Sequence, residues 1–168
     1  MLQATRVDRN RASPYAVTQL YASLTKDQRD AIVAMGHGSF LDIKCNSLHN
    51  PLNSWFVRCY DPKRRAFVVP CRGIIPLTEE SVELLTGLPR GPLEVKYYVD
   101  GELEEQISSR LFRGEGSRPK VSDVAKRISQ YKVADKTFKE LWMVHIVSAL
   151  LAPTLDNHIS NSIYPMLV

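Results

Sequence analysis

The sequence predicts a mainly α-helical domain, of α+β type, with about six helices and a small antiparallel β-hairpin or sheet. Three observations carry that expectation. Helix-start residues recur just ahead of apolar periodic stretches, at Ser13-Pro14, Thr25, Asn50-Pro51, Thr78, Ser122 and Asp135. One segment, Phe67 to Pro76, reads as two short β-type runs around Gly73. Composition is that of a chain able to bury a core, with 44% hydrophobic and 24% charged residues.

Residues 1–12 read as a disordered basic lead, and residues 13–168 as a single globular domain. Ser13 followed by proline at the first helical position opens a helix through Ala16, Val17 and Leu20. Thr25-Lys-Asp-Gln28 is a capping box, so a second helix runs through Ile32 and Met35 and stops at Gly36. Phe40 to Cys45 fits a strand or a helix equally well. Asn50-Pro51 reads as a cap and proline opening a short helix, with Leu52, Trp55, Phe56 and Cys59 near one face. Tyr60 to Arg65 reads as a turn leading into the hairpin. Thr78 then caps a helix whose start carries Glu79, Glu80 and Glu83, favourable at the positive end of the helix dipole. Gly87-Leu-Pro89 stops it.

Leu93 to Val99 is strand-like, residues 102–112 helical, and Arg113 to Pro119 a polar flexible loop. Ser122 caps a helix to about Lys132. Asp135 opens the longest one, ending before Ala152-Pro153. The expected core is Leu20, Ile32, Trp55, Phe56, Val68, Ile75, Val82, Leu85, Leu141, Val144 and Leu151. The apolar end, Tyr164 to Val168, reads as the edge of a fragment from a longer protein.

The net charge of +4 is uneven: residues 1–92 hold 12 Lys and Arg against 8 Asp and Glu, and the remainder balances. That basic half permits a nucleic-acid or acidic protein partner without requiring one. The three cysteines, Cys45, Cys59 and Cys71, are odd in number and widely spaced, which fits a reducing compartment, cytoplasm or nucleus. The longest apolar run, Leu141 to Ala152, is about half the length that spans a bilayer, so no membrane role is expected.

The stretch over residues 67–91, an aromatic and aliphatic strand, a Gly turn, Ile75-Pro-Leu-Thr-Glu-Glu-Ser-Val82, Leu84-Leu85 and Thr86-Gly-Leu-Pro-Arg-Gly91, resembles the plant mobile domain family, also called aminotransferase-like. Met35-Gly-His-Gly-Ser-Phe-Leu-Asp-Ile43 and Asn50 to Asp61 share that resemblance. They are also similar to the N-terminal domains of plant transposon-encoded proteins that carry a SUMO-protease-type cysteine protease further along. The resemblance implies a plant nuclear protein of mobile-element descent, acting in transposon silencing or genome stability through protein partners. It brings no catalytic residues. Its aminotransferase label finds no lysine site for pyridoxal phosphate and no glycine-rich phosphate cup here, so no cofactor is expected.

Candidate chemistry is sparse. Cys45 and His49 with Cys59 and Cys71 have the ligand types of a structural zinc site, but no tight Cys-x-x-Cys pair, and buried cysteine is commonly a small hydrophobe. Cysteine–histidine pairs for nucleophilic catalysis can always be drawn with this many residues, so no enzyme is predicted. Gly36-His37-Gly38-Ser39 reads as a helix stop and turn. His145, amid Trp142 and Ser148, reads as a core histidine satisfied by a hydrogen bond. Lys63, Arg64, Arg65 and Arg72 form the candidate binding patch, for nucleic acid or an acidic partner, provided the hairpin brings them to one end. The expected function is a non-catalytic protein-interaction domain, with a nucleic-acid-binding module or an accessory domain of a downstream cysteine protease as alternatives.

Overall fold

Side-chain caps open most of the helices, as the sequence indicates. In the computed structural model, which describes residues 10–92, 94, 98, 100–112 and 118–167, Ser13 Oγ accepts the Ala16 N–H and opens α1 (Pro14–Thr18). Thr25 and Gln28 form a reciprocal capping box at α2 (Lys26–Ala34). Thr78 and Ser81 do the same at α4 (Glu79–Thr86), and Asp135 caps α7 (Lys136–Ile146) through the Phe138 N–H. Gly36 and Gly87 stop α2 and α4 at positive φ, a backbone region open to glycine.

Two starts differ from expectation. The cap of α3 (Asn50–Cys59) is His49, whose Nδ1 accepts the Leu52 N–H, and Asn50 is already helical. The sixth helix, α6 (Val121–Gln130), begins one residue before Ser122, after Lys120, with no side-chain cap. With α5 (Gly101–Phe112) there are seven α-helices among the described residues, rather than about six. Phe40 to Cys45, ambiguous in sequence, contributes to a 3₁₀ turn over Gly38–Asp42. The strand-like residues 93, 95–97 and 99, loop residues 113–117 and lead residues 1–9 lie outside the described residues.

The sheet is a three-stranded antiparallel meander, β1 (Tyr60–Asp61), β2 (Ala66–Val69) and β3 (Gly73–Pro76), in the order β1-β2-β3. Phe67 stands opposite Tyr60 on one side and Ile75 on the other. The expected turn at Tyr60 to Arg65 therefore contains a short strand and shrinks to residues 62–65.

The core gathers α1, α2, α5, α6, α7, the Phe40 turn and the 3₁₀ segment Asn161–Leu167. Trp142, Tyr164, Phe112, Phe138 and Leu141 are among its largest fully buried side chains. Glu140, buried on α7, takes a two-pronged ion pair from Arg110 of α5, which clamps the two helices together. The apolar C-terminal stretch is part of this core through Ile163 and Tyr164.

Seven of the eleven expected core residues are not buried. Leu20, Ile32, Leu141 and Val144 are buried, but Trp55, Ile75, Val82, Leu85 and Leu151 are exposed, and Phe56 and Val68 only half-buried. Across residues 41–92, Ala66 is the single buried residue. Apolar periodicity identifies the face a helix would bury, but burial requires an opposing element, and none of the described residues covers α4.

Candidate functional site

The surface built by residues 50–90 holds the candidate patch. Trp55 and Phe56 in the middle of α3 meet the sheet through aromatic contacts: ring centroids lie 5.0 Å apart for Trp55–Phe56, 5.9 Å for Phe56–Phe67 and 5.5 Å for Tyr60–Phe67. This satellite cluster fixes α3 against β2. Beyond it the surface is apolar and open. Ile74, Ile75 and Leu77 stand exposed along the β3 edge and its exit, and Val82, Leu84 and Leu85 along α4, with Leu84 86% and Leu85 78% exposed.

Arg90 folds back over α4 and pairs with Glu80 at 2.8 Å and Glu83 at 2.7 Å. The backbone N–H at the helix start, then Thr78 and Arg90, hold the Glu80 carboxyl below its ordinary range. This ties the Gly-Leu-Pro stop to its own helix. The stop in turn seats on the α2 end: a Cβ at Gly36 would lie 2.7 Å from Pro89 Cγ, and one at Gly87 3.2 Å from Ser39 Cβ. The Met35–Ser39 and Thr86–Pro89 stretches thus pack on each other.

The four candidate cations do not form one compact patch. Lys63, Arg64 and Arg65 belong to the turn before β2, and Arg72 to the turn after it. Successive turns of a meander lie at opposite ends, here separated by a four-residue strand of roughly 13 Å. Asp61 organises the first turn by accepting the Lys63 and Arg64 N–H groups and pairing with the Arg64 guanidinium at 3.6 Å. Lys63, Arg65 and Arg72 are exposed and have no ion pair among the described residues. The result is two separated basic ends flanking an apolar sheet.

Cys45, His49, Cys59 and Cys71 are not brought together: no group of three or more His, Cys, Asp or Glu residues fit to hold a metal ion occurs among the described residues. His49 is engaged as a helix cap, and all three cysteines are free thiols, with Cys71 at the exposed tip of the β2–β3 hairpin. Gly36 to Ser39 is a helix stop and turn, with the His37 ring edge-on to Phe40 at 5.8 Å. His145 is fully buried, and its Nε2 lies 3.1 Å from the Ala16 carbonyl oxygen. Among the described residues, no helix is long and apolar enough to cross a membrane.

Sequence reasoning missed the exposure of α4. Residues 10–168 match the family model described as a domain of unknown function, DUF8566, and the chain belongs to that family. No curated protein and no solved structure matches the chain.

Proposed function

We propose that this member of the DUF8566 family is a non-catalytic interaction domain that docks a protein partner on α4 and the β3 edge. The observation that carries the reading is the number of exposed large apolar side chains within one short stretch: Ile74, Ile75, Leu77, Val82, Leu84 and Leu85. Sizeable apolar patches on soluble domains commonly mark surfaces that another protein covers. The partner's fitting chemistry is an apolar segment flanked by acidic residues, because Lys63 and Arg65 border one end of the sheet and Arg72 the other. The setting we propose, a mobile-element-derived plant nuclear protein in transposon silencing or genome maintenance, rests on the resemblance of residues 35–43, 50–61 and 67–91 to the plant mobile domain family.

The test is a double substitution, Leu84→Lys with Leu85→Lys. Both side chains are exposed, so the melting temperature should stay within a few degrees of the parent. Recovery of the partner captured from plant nuclear extract by the parent chain should drop at least about tenfold. Undiminished recovery removes α4 as the docking face.

A nucleic-acid-binding reading is favoured by one observation, the unpaired cations Lys63, Arg65 and Arg72. Titration with a short duplex at about 20 mM salt decides it, since phosphate contacts release counterions and weaken steeply with added salt. Absence of salt-dependent binding removes that reading. The role as accessory to a cysteine protease is decided by whether the full-length reading frame encodes such a protease.

A further inference from the structure

β3 is the outer strand of the meander, and the order β1-β2-β3 leaves its far side without a neighbouring strand among the described residues. The ladder to β2 decides which backbone groups face that side. The Arg65 carbonyl accepts the Leu77 N–H at 2.8 Å, so these two residues stand opposite each other as a bonded pair. Bonded and non-bonded pairs alternate along an antiparallel ladder, which makes Phe67–Ile75 bonded and Val68–Ile74 and Ala66–Pro76 non-bonded. The backbone groups of Ile74 and Pro76 therefore point outward. Ile74 offers an N–H and a carbonyl there, and Pro76, which has no N–H to give, offers a carbonyl. None of these groups is bonded among the described residues.

An open edge of this kind is a template for a further strand. All four residues of β3 are exposed, and two of them, Ile74 and Ile75, are large and β-branched. Such side chains stabilise a sheet when they face each other across strands. Pro76 keeps the match short, which suits a closed, reversible contact rather than open-ended stacking.

The charges flanking β3 are of opposite sign. Arg72 lies just before the strand and Glu79 shortly after it, both exposed and without an ion pair among the described residues. Two copies of β3 laid edge to edge and antiparallel bring the end of each strand beside the start of the other. With Ile75 opposite Ile75 of the second copy, each Ile74 N–H meets the Pro76 carbonyl across the seam. In the same register Arg72 stands opposite Thr78, next to Glu79 of the second copy. The relation is a twofold axis, so each contact is made twice. An apolar strand followed by the acidic start of α4 is also the partner chemistry that the basic sheet ends call for, and this chain carries it itself.

We propose that the docked partner is a second copy of this chain, in a twofold dimer whose β3 edges join two three-stranded sheets into one. The inference rests on the reading of the β3 edge and α4 as a docking face, and it names the occupant. Sedimentation velocity of the full chain from about 1 to about 200 µM tests it, with a reductant present so that the exposed Cys71 forms no cross-link. The parent should pass from monomer to dimer with a Kd of about 10 µM, as fits a short seam. Ile74→Pro removes the outward N–H without touching the ladder to β2, and should stay monomeric with a melting temperature within a few degrees of the parent. Arg72→Glu and Glu79→Arg should each weaken the dimer about tenfold, and the two together in one chain should restore the parent affinity, because each Arg72 faces Glu79 of the other copy. A parent that is monomeric at about 200 µM overturns the proposal. So does undiminished dimerisation of Ile74→Pro, or a double charge variant as weak as the single ones. A monomeric parent whose recovery of the nuclear partner still falls with Leu84→Lys and Leu85→Lys refutes the second copy alone and leaves the docking face standing.

Discussion

The helical core and the segment from residue 41 to residue 92 are equally well specified locally and differ almost completely in burial. Both have side-chain caps, glycine stops and apolar residues at helical or strand spacing. In the core these residues disappear from solvent, as at Ile32, Phe138 and Leu141, whereas in the segment only Ala66 does. Local specification and tertiary burial are separate properties. A cap contributes about 1 kcal/mol wherever the helix sits, while a buried side chain contributes several times that only when other elements surround it.

The largest effect should come from truncating the core and its counterpart in α4 under the same conditions. Phe138→Ala should cost about 3–5 kcal/mol in denaturant unfolding, and Leu85→Ala less than about 0.5 kcal/mol. Similar costs for the two would break the comparison, because α4 would then be packed in solution.

Acid should strike the core selectively. The folded-state pKa of His145 is lowered by burial from 6.5 to about 4, so the unfolded chain takes up a proton that the folded chain refuses. The stability this protects is fully present above pH 6.5 and is lost as pH falls toward 4, by about 3 kcal/mol. Unfolding followed across that window, with His145→Phe as a partner measurement, should show a shallower slope in the variant, the rest carried by groups such as His37, whose pKa burial also lowers.

The seam between the two regions can be probed at Gly36. Gly36→Ala introduces a side chain at φ 77° and 2.7 Å from Pro89 Cγ, and should cost about 2 kcal/mol. In a Pro89→Ala background the close approach is relieved and about 1 kcal/mol of backbone strain should remain. An unchanged cost in that background would mean the Gly-Leu-Pro stop does not seat on α2. The smallest effect belongs to the hairpin tip. Cys71 adopts φ 57°, so Cys71→Gly should raise stability by about 0.5 kcal/mol, readable as a small upward shift in melting temperature.

Several elements are legible in the amino-acid sequence alone. The Thr25–Gln28 box, the Ser13, Thr78 and Asp135 caps and both glycine stops are where short-range hydrogen bonding requires them. His49 is not legible as a cap, because a histidine rarely performs that role and Asn50 beside it usually does. The candidate basic patch is divided for a topological reason: Arg65 precedes β2 and Arg72 follows it in the β2–β3 turn, so the length of that strand lies between them. That the His145 ring meets the Ala16 carbonyl, from a helix far away in the chain, is beyond the reach of sequence.

By itself the sequence determined where helices begin and end and where the chain doubles back, because those choices depend on contacts within a few residues. Tertiary structure alone decided which apolar faces find a cover and that Gly36 and Gly87 abut Pro89 and Ser39. Each of those outcomes joins residues far apart in the chain, and no local preference encodes the closing of so long a loop.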